Sequence, residues 1–329
     1  HRDLHLSLRR QRQMCIRDRY RAWGGSQLSW LSGGEAAAFA LPVLPDNQWQ
    51  VWADLQKLQI DLVVQASASR QKKLLLADMD STMIQQECID ELADVAGVGD
   101  RVKGITARAM NGELDFNSAL IERVGLLKDL DVGVIDRVLA DRITLMPGGA
   151  ALVSTMKANG AYAALVSGGF TAFTSAVAGQ LGFDENRANT LIVKDGKLTG
   201  DVAVPILGRG AKVQALEEIV QQLGITAQDV LAVGDGANDL GMLKISGTGA
   251  ALHAKPAVAA ECSVRINFCD LSALLFVHGY RRAAFIYLWA RWGKNAGLMS
   301  SLPVVMLRQL RCGALISVSY THLTLPTKA

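Results

Sequence analysis

The stretch KKLLLADMDSTMIQQE, Lys72 to Glu87, decides the fold. Four apolar residues, Leu74 to Ala77, run straight into two carboxylates, Asp78 and Asp80, with no turn residue between run and acids. A short apolar run bounded by polar residues reads as a buried strand of a parallel sheet, and such strands present their chemistry at the carboxyl end. Alternate residues of an extended chain point to opposite sides, and a turn just after the strand brings Asp78 and Asp80 back toward one point. Two carboxylates at one point serve as nucleophile with general acid/base, or as metal ligands. The plainer alternative is an exposed loop with a helix cap at Ser81 or Thr82. A D-x-D-x-T pattern alone arises by chance in about one chain in twenty-five of this length, so it needs support from elsewhere.

Outward from that strand the pattern alternates. AYAALVS ends a second strand at Ser167, and a helix follows from Thr171 to Leu181. ANTLIVKDGKLTGDVAV reads as a hairpin, because Asp195-Gly196 separates two alternating runs. Next come a helix from Gly210 to Leu223, the strand DVLAVGD, a helix from Ala237 to Ile245, and the short strands GAALH and SVRINF. Such alternation predicts an α/β fold with a Rossmann-like doubly wound parallel sheet. Residues 88–146 break it, being helical in pattern throughout; inserted after the first strand, they are expected to lie over the carboxyl edge as a helical cap. Residues 72–87 and 147–283 then form the core. Residues 23–71, with Trp23, Trp30, Trp49 and Trp52, are expected to be a small N-terminal domain.

Three more segments carry chemistry at strand or helix ends. ALVSGGF puts Ser167 and the small pair Gly168-Gly169 before a helix, where backbone N–H groups and a hydroxyl can approach an anion. VLAVGDGANDL sets Asp235 and Asp239 around a glycine-rich turn, and in GRGAKVQAL Lys212 opens a helix as a fixed cation. Acids, hydroxyl and lysine in this order form a constellation for Mg²⁺-assisted phosphoryl transfer.

The order D-x-D-x-T, Ser after a strand, Lys, then G-D-G-x-N-D resembles the haloacid dehalogenase superfamily. DMDSTMIQQE, ALIERVGLLKDL, LVSGGF, LIVKDGKLTGDV, VGDGANDL and HAKPAV resemble its phosphoserine phosphatase family over about residues 72–280. Residues 23–71 loosely resemble the N-terminal region of some bacterial members. The resemblance implies hydrolysis of O-phosphoserine to serine and phosphate, the last step of serine biosynthesis, with Mg²⁺ as cofactor. It makes Asp78 the nucleophile and Asp80 the general acid/base. The metal ligands implied are the Asp78 carboxylate, the Asp80 backbone carbonyl and Asp235, with Asp239 in support. Ser167, Gly168 and Lys212 would hold the phosphoryl oxygens, with Asn238 nearby. Glu87 would bind the substrate ammonium and Arg123 its carboxylate, while Met110 and Phe116 close over the ligand. Without the resemblance, Arg123 reads as a solvated helix charge, and Met110 and Phe116 as core packing. Two other readings stand beside this one: a phosphatase for another small phosphomonoester, and an inactive regulatory protein.

The bulk composition agrees. At 329 residues and 50% hydrophobic, the chain can bury a sizeable core. The net charge of +3 belongs to the ends: residues 1–22 hold seven Arg against two Asp, and residues 281–329 hold seven basic residues and no acid. The body between them is acidic, which argues against nucleic acid as a partner. Five cysteines, Cys15, Cys88, Cys262, Cys269 and Cys312, form no C-x-x-C pair, so neither a disulfide framework nor a zinc site is indicated and a reducing cytoplasm fits. Cys88 could be a low-pKa thiol at a helix start, though buried packing is the expectation; His253 and His278 stand alone. The most apolar stretch, AAFIYLWARWGKNAGLMSSLPVVM, is interrupted by Arg291 and Lys294, so no membrane is expected. The partner expected is the small-molecule substrate, and a homodimer is compatible with the sequence. The ends read as foreign: RQMCIRDR and SYTHLTLPT resemble translated sequencing-adapter read-through. Residues 1–22 are therefore expected to be a non-native or disordered basic segment. Residues 284–329 are expected to be a C-terminal extension whose end, after about Ser317, is non-native.

Overall fold

A computed structural model describes residues 2–68, 70–110, 113–208, 210–287 and 314–322. Its strands are β1 (Ser26–Ser32), β2 (Ala36–Val43), β3 (Ile60–Ala66), β4 (Leu74–Ala77), β5 (Tyr162–Phe170), β6 (Glu185–Asn189), β7 (Leu191–Lys194), β8 (Lys197–Val202), β9 (Val230–Gly234), β10 (Thr248–Leu252), β11 (Val264–Ile266) and β12 (Ala314–His322). The quoted apolar run is β4. It lies inside a six-stranded sheet of order β11-β10-β9-β4-β5-β6, whose pairs are all parallel.

All four residues of β4 have no exposed surface because helices cover both faces of the sheet. Leu75 and Ala77 join one core, with Leu152, Phe173 and Val177 from the helices Gly149–Ala158 and Thr171–Leu181. Leu74 and Leu76 join the opposite core, with Leu216, Ile219 and Met242 from the helices Ala211–Leu223 and Leu240–Ile245. This is the expected doubly wound arrangement.

Between β4 and β5 the chain forms the helices Cys88–Val95, Gly99–Met110, Phe116–Gly125 and Gly133–Asp141. The insertion is stapled at its base, where Met146 N–H donates to the Met83 carbonyl and Gln85 N–H to the Thr144 carbonyl, each at 2.9 Å. The β7–β8 hairpin turns at Asp195 and Gly196, both at positive φ (52° and 75°). It is bonded to the inserted segment: Asp129 N–H donates to the Leu198 carbonyl at 2.9 Å, and Leu198 N–H to the Leu130 carbonyl at 2.8 Å.

The described parts of both chain ends carry regular structure. Arg2–Ala22 is a helix whose Ile16 is buried against the core of the N-terminal sheet, since Ile16 and Tyr20 lie four apart on one helical face. That sheet has the order β1-β2-β12-β3, with β12 parallel to both neighbours. Residues 318–322, part of the end expected to be non-native, belong to a central strand. Leu315, Ile316 and Val318 supply the apolar side chains that both faces of such a strand require. The remainder of the C-terminal extension, 288–313 and 323–329, lies outside the described residues. The buried Asp61 of β3 joins this sheet to the core of the six-stranded sheet, its carboxylate accepting the N–H groups of Asn267, Phe268 and Cys269 at 2.9–3.1 Å. Among the described residues no helix is long and apolar enough to cross a membrane.

Candidate active site

Strand register assembles the site. Ala77 pairs with Val233 of β9 and Leu165 of β5, so Asp78, Asp235 and Ser167 stand at nearly the same level at the carboxyl edge, Ser167 where the β5–β6 register breaks. Asp78 is buried, and its N–H still donates to the Val233 carbonyl at 3.0 Å, which fastens it to the strand. Its Oδ1 accepts the Met79 N–H and meets Lys212 Nζ, each at 2.7 Å. Lys212, in the first turn of its helix, reaches Asp239 Oδ1 at 2.5 Å with the same ammonium. Burial, then the neighbouring Asp239 charge, raises the Asp78 pKa well above the usual carboxylate range against the pull of Lys212. The Lys212 pKa rises despite burial because Asp78 and Asp239 hold its proton.

The glycine-rich turn folds around Asp239, which is fully buried. Asp239 Oδ2 accepts the N–H groups of Asp235 (3.2 Å) and Gly236 (2.9 Å), and a Cβ on Gly234 would strike its carboxyl group. Asp235 Oδ1 accepts the Thr82 hydroxyl at 3.2 Å. Burial and the Asp239 charge push Asp235 up to about 6. Carboxylate oxygens of Asp78, Asp235 and Asp239 lie within 4.8 Å of one another, a hard-oxygen donor set suited to a divalent metal.

Asp80 reaches the same point through its bonds to Cys88 and Ser167, and the chain turns away just after it at Ser81, whose φ is +55°. Its Oδ1 accepts the Cys88 N–H at 2.9 Å and its Oδ2 the Ser167 hydroxyl at 3.1 Å. Burial raises its pKa, which favours the protonated form that a general acid needs. Neither Ser81 nor Thr82 caps the following helix: Thr82 serves Asp235, and the Ser81 hydroxyl donates to Glu87 Oε1 at 2.7 Å. Thr82, read from the sequence only as a possible helix cap, and Gly169, read only as one of a small pair, both stand against the carboxylates. Thr82 was already marked by the last letter of D-x-D-x-T. For Gly169 the constraint is steric, since a Cβ there would stand 2.7 Å from Asp80 Oδ2.

Glu87 occupies the N-cap position of the helix Cys88–Val95. Arg123, on the helix Phe116–Gly125, is half-buried, which lowers its pKa, while Asp90, Glu87 and Asp80 attract its charge. Its Nε donates to the Ala119 carbonyl of its own helix at 3.2 Å. Phe116 lies over Gly168, its Cζ 3.0 Å from where a Cβ on that glycine would be. Phe116, Ser167, Gly168, Leu207, Lys212 and Asn238 line one pocket. Met110 ends the helix Gly99–Met110, and its side chain lies outside the described residues. The Cys88 thiol is buried, and burial pushes its pKa far up, so it packs rather than reacts.

The profile of the haloacid dehalogenase-like hydrolase family matches residues 75–244. A phosphoserine phosphatase of Methanocaldococcus jannaschii is 44% identical over 206 residues, covering 63% of this chain and 97% of its own. One from Streptomyces coelicolor is 42% identical over 227 residues, covering 68% of this chain, which spans 55% of that relative's length. Among solved structures, a phospho-aspartyl intermediate analogue of phosphoserine phosphatase aligns with a TM-score of 0.59 at 44% identity, covering 63% of this chain and 98% of the other. The matched span takes in more than half of the chain and every carboxylate of the cluster: the chain belongs to the haloacid dehalogenase-like hydrolases.

Proposed function

We propose that the protein is a Mg²⁺-dependent phosphoserine phosphatase of the cytoplasm. The observation that carries this reading is Asp78 held on Lys212 at the end of β4, with Asp80, two residues on, bonded to Ser167. Asp78 attacks phosphorus, the bond from phosphorus to the serine oxygen breaks, and Asp80 gives its proton to that oxygen. Asp80 then takes a proton from water, which attacks the aspartyl phosphate; the bond from phosphorus to Asp78 breaks and phosphate leaves. Ser167, Gly168, Lys212 and Asn238 hold the phosphoryl oxygens.

Asp78, the Asp80 carbonyl and Asp235 would hold the Mg²⁺, which offsets phosphoryl charge when bound. Asp239 supports them indirectly, since both its oxygens already accept from Lys212 or backbone N–H groups. The inserted helices act as the cap over the core of 72–87 and 147–283. On them Arg123 clamps the substrate carboxylate, Phe116 and Met110 exclude water, and Glu87 at the cap's edge takes the ammonium. The names of the relatives support phosphoserine as the substrate.

The full chain with Mg²⁺ is expected to release phosphate from O-phosphoserine. Asp78→Asn should abolish turnover, and Arg123→Ala should raise KM for phosphoserine while sparing a phosphomonoester that lacks a carboxylate. Steady-state phosphate release reads both. Equal loss on every substrate would remove the carboxylate role, and no release from phosphoserine would remove the substrate.

A further inference from the structure

Asn189 closes β6, is only 2% exposed, and is given no role by any of the motifs. Its side-chain amide joins the two loops that wall the phosphate pocket. Nδ2 donates to the Gly168 carbonyl at 2.9 Å and to the Leu207 carbonyl at 3.3 Å, while Oδ1 accepts the Leu207 N–H at 2.8 Å. Only a donor can face both carbonyls, so the orientation of the amide is fixed by its partners.

The Gly168 carbonyl and the Gly169 N–H belong to one rigid peptide plane. That N–H donates to Ser167 Oγ at 2.8 Å, and Ser167 sends its own proton to Asp80 Oδ2 at 3.1 Å. Holding the Gly168 carbonyl therefore sets where the Ser167 lone pair and proton point. On the opposite wall Leu207 is held at both its N–H and its carbonyl, and it lines the pocket with Lys212. We propose that Asn189 is a positioning residue for catalysis: it aims the Ser167 hydroxyl at Asp80 and fixes the spacing between the Ser167 wall and the Lys212 wall.

The inference rests on the phosphatase reading for the meaning of the pocket, and its test separates the two. Asn189→Asp keeps the shape and the acceptor for Leu207 N–H but turns an acceptor toward both carbonyls. In the full chain it should lower kcat on O-phosphoserine about 10- to 100-fold, with a smaller change in KM, because misaimed groups cost rate before affinity. Orthophosphate binding, measured by calorimetry with Mg²⁺ present, should weaken several-fold. Asn189→Ser, which retains a hydroxyl acceptor on a shorter arm, should fall between parent and Asn189→Asp. Thr190→Ala, one residue on, should match the parent. Should Asn189→Asp fail to fold, Asn189→Ser decides alone. If the folded variants lose thermal stability but keep kcat and phosphate affinity within about two-fold, Asn189 only fills space and the proposal falls. If the parent ignores phosphoserine yet binds orthophosphate, the substrate reading fails, and the phosphate affinities of the variants still decide the role of Asn189.

Discussion

Thr82 gives its hydroxyl to Asp235 from a site with no exposed surface. Thr82→Val keeps the shape and removes the donor, which leaves a carboxylate already raised to about 6 with one stabilising contact fewer. The Mg²⁺ concentration for half-maximal rate should rise about ten-fold, as expected when a partner orienting a metal ligand is lost. A titration of initial rate against Mg²⁺ checks this, and an unchanged midpoint would remove Thr82 from the metal's surroundings. At this scale the sequence was most informative about the charged groups. Asp78, Asp235 and Lys212 each end an apolar strand or open a helix, so their positions follow from chain direction alone. Asn189 was illegible because its bonds run between distant loops, which leave no periodic trace.

Among the elements, the β7–β8 hairpin links the core to the inserted helices through Leu198. Gly200 on β8 has a φ of 86°, and a Cβ there would stand 3.0 Å from Lys128 Cβ and 3.4 Å from the Gly125 carbonyl. Gly200→Ala combines backbone strain with that collision, so it should cost about 1–3 kcal/mol of stability. Urea unfolding monitored by circular dichroism measures it; a loss below about 0.5 kcal/mol would mean that the hairpin swings clear freely. The hairpin was legible through Asp195-Gly196, yet β6 was not. Its sequence, Glu185 to Asn189, is polar because an edge strand pairs on one side only, with Arg187 satisfied by Glu185 and Glu218. The helix Gly149–Ala158 escaped for the opposite reason: Ala151 to Met156 are all buried, so no polar stripe marks its period.

For the molecule as a whole, His278 sets a limit on acid tolerance. It is buried, its Nε2 has no hydrogen-bond partner among the described residues, and burial followed by the charges of Lys72 and Arg70 pushes its pKa from 6.5 down to about 3. Above pH 6.5 both folded and unfolded chains leave it neutral, so its contribution to stability is complete there. Below that pH the unfolded chain takes up a proton that the fold refuses, and stability falls by up to about 1.4 kcal/mol per pH unit until near pH 3. His278→Leu should flatten this limb in denaturant unfolding measured from pH 7 to pH 4, and curves parallel to the parent's would assign the acid loss elsewhere. At this scale the doubly wound sheet and its helical insertion were legible from alternation alone. The N-terminal sheet was not, because its middle strand comes from a segment with no local sign of its destination.

That middle strand also orders events in time. β2 and β3 leave the ribosome early with a gap one strand wide between them, and residues 67–313 must all be made before β12 can enter it. The whole catalytic sheet, β4 to β11, is synthesised during that wait. The N-terminal sheet is thus begun before the six-stranded sheet and closed after it, and until β12 arrives the facing edges of β2 and β3 are open to pairing with neighbouring nascent chains.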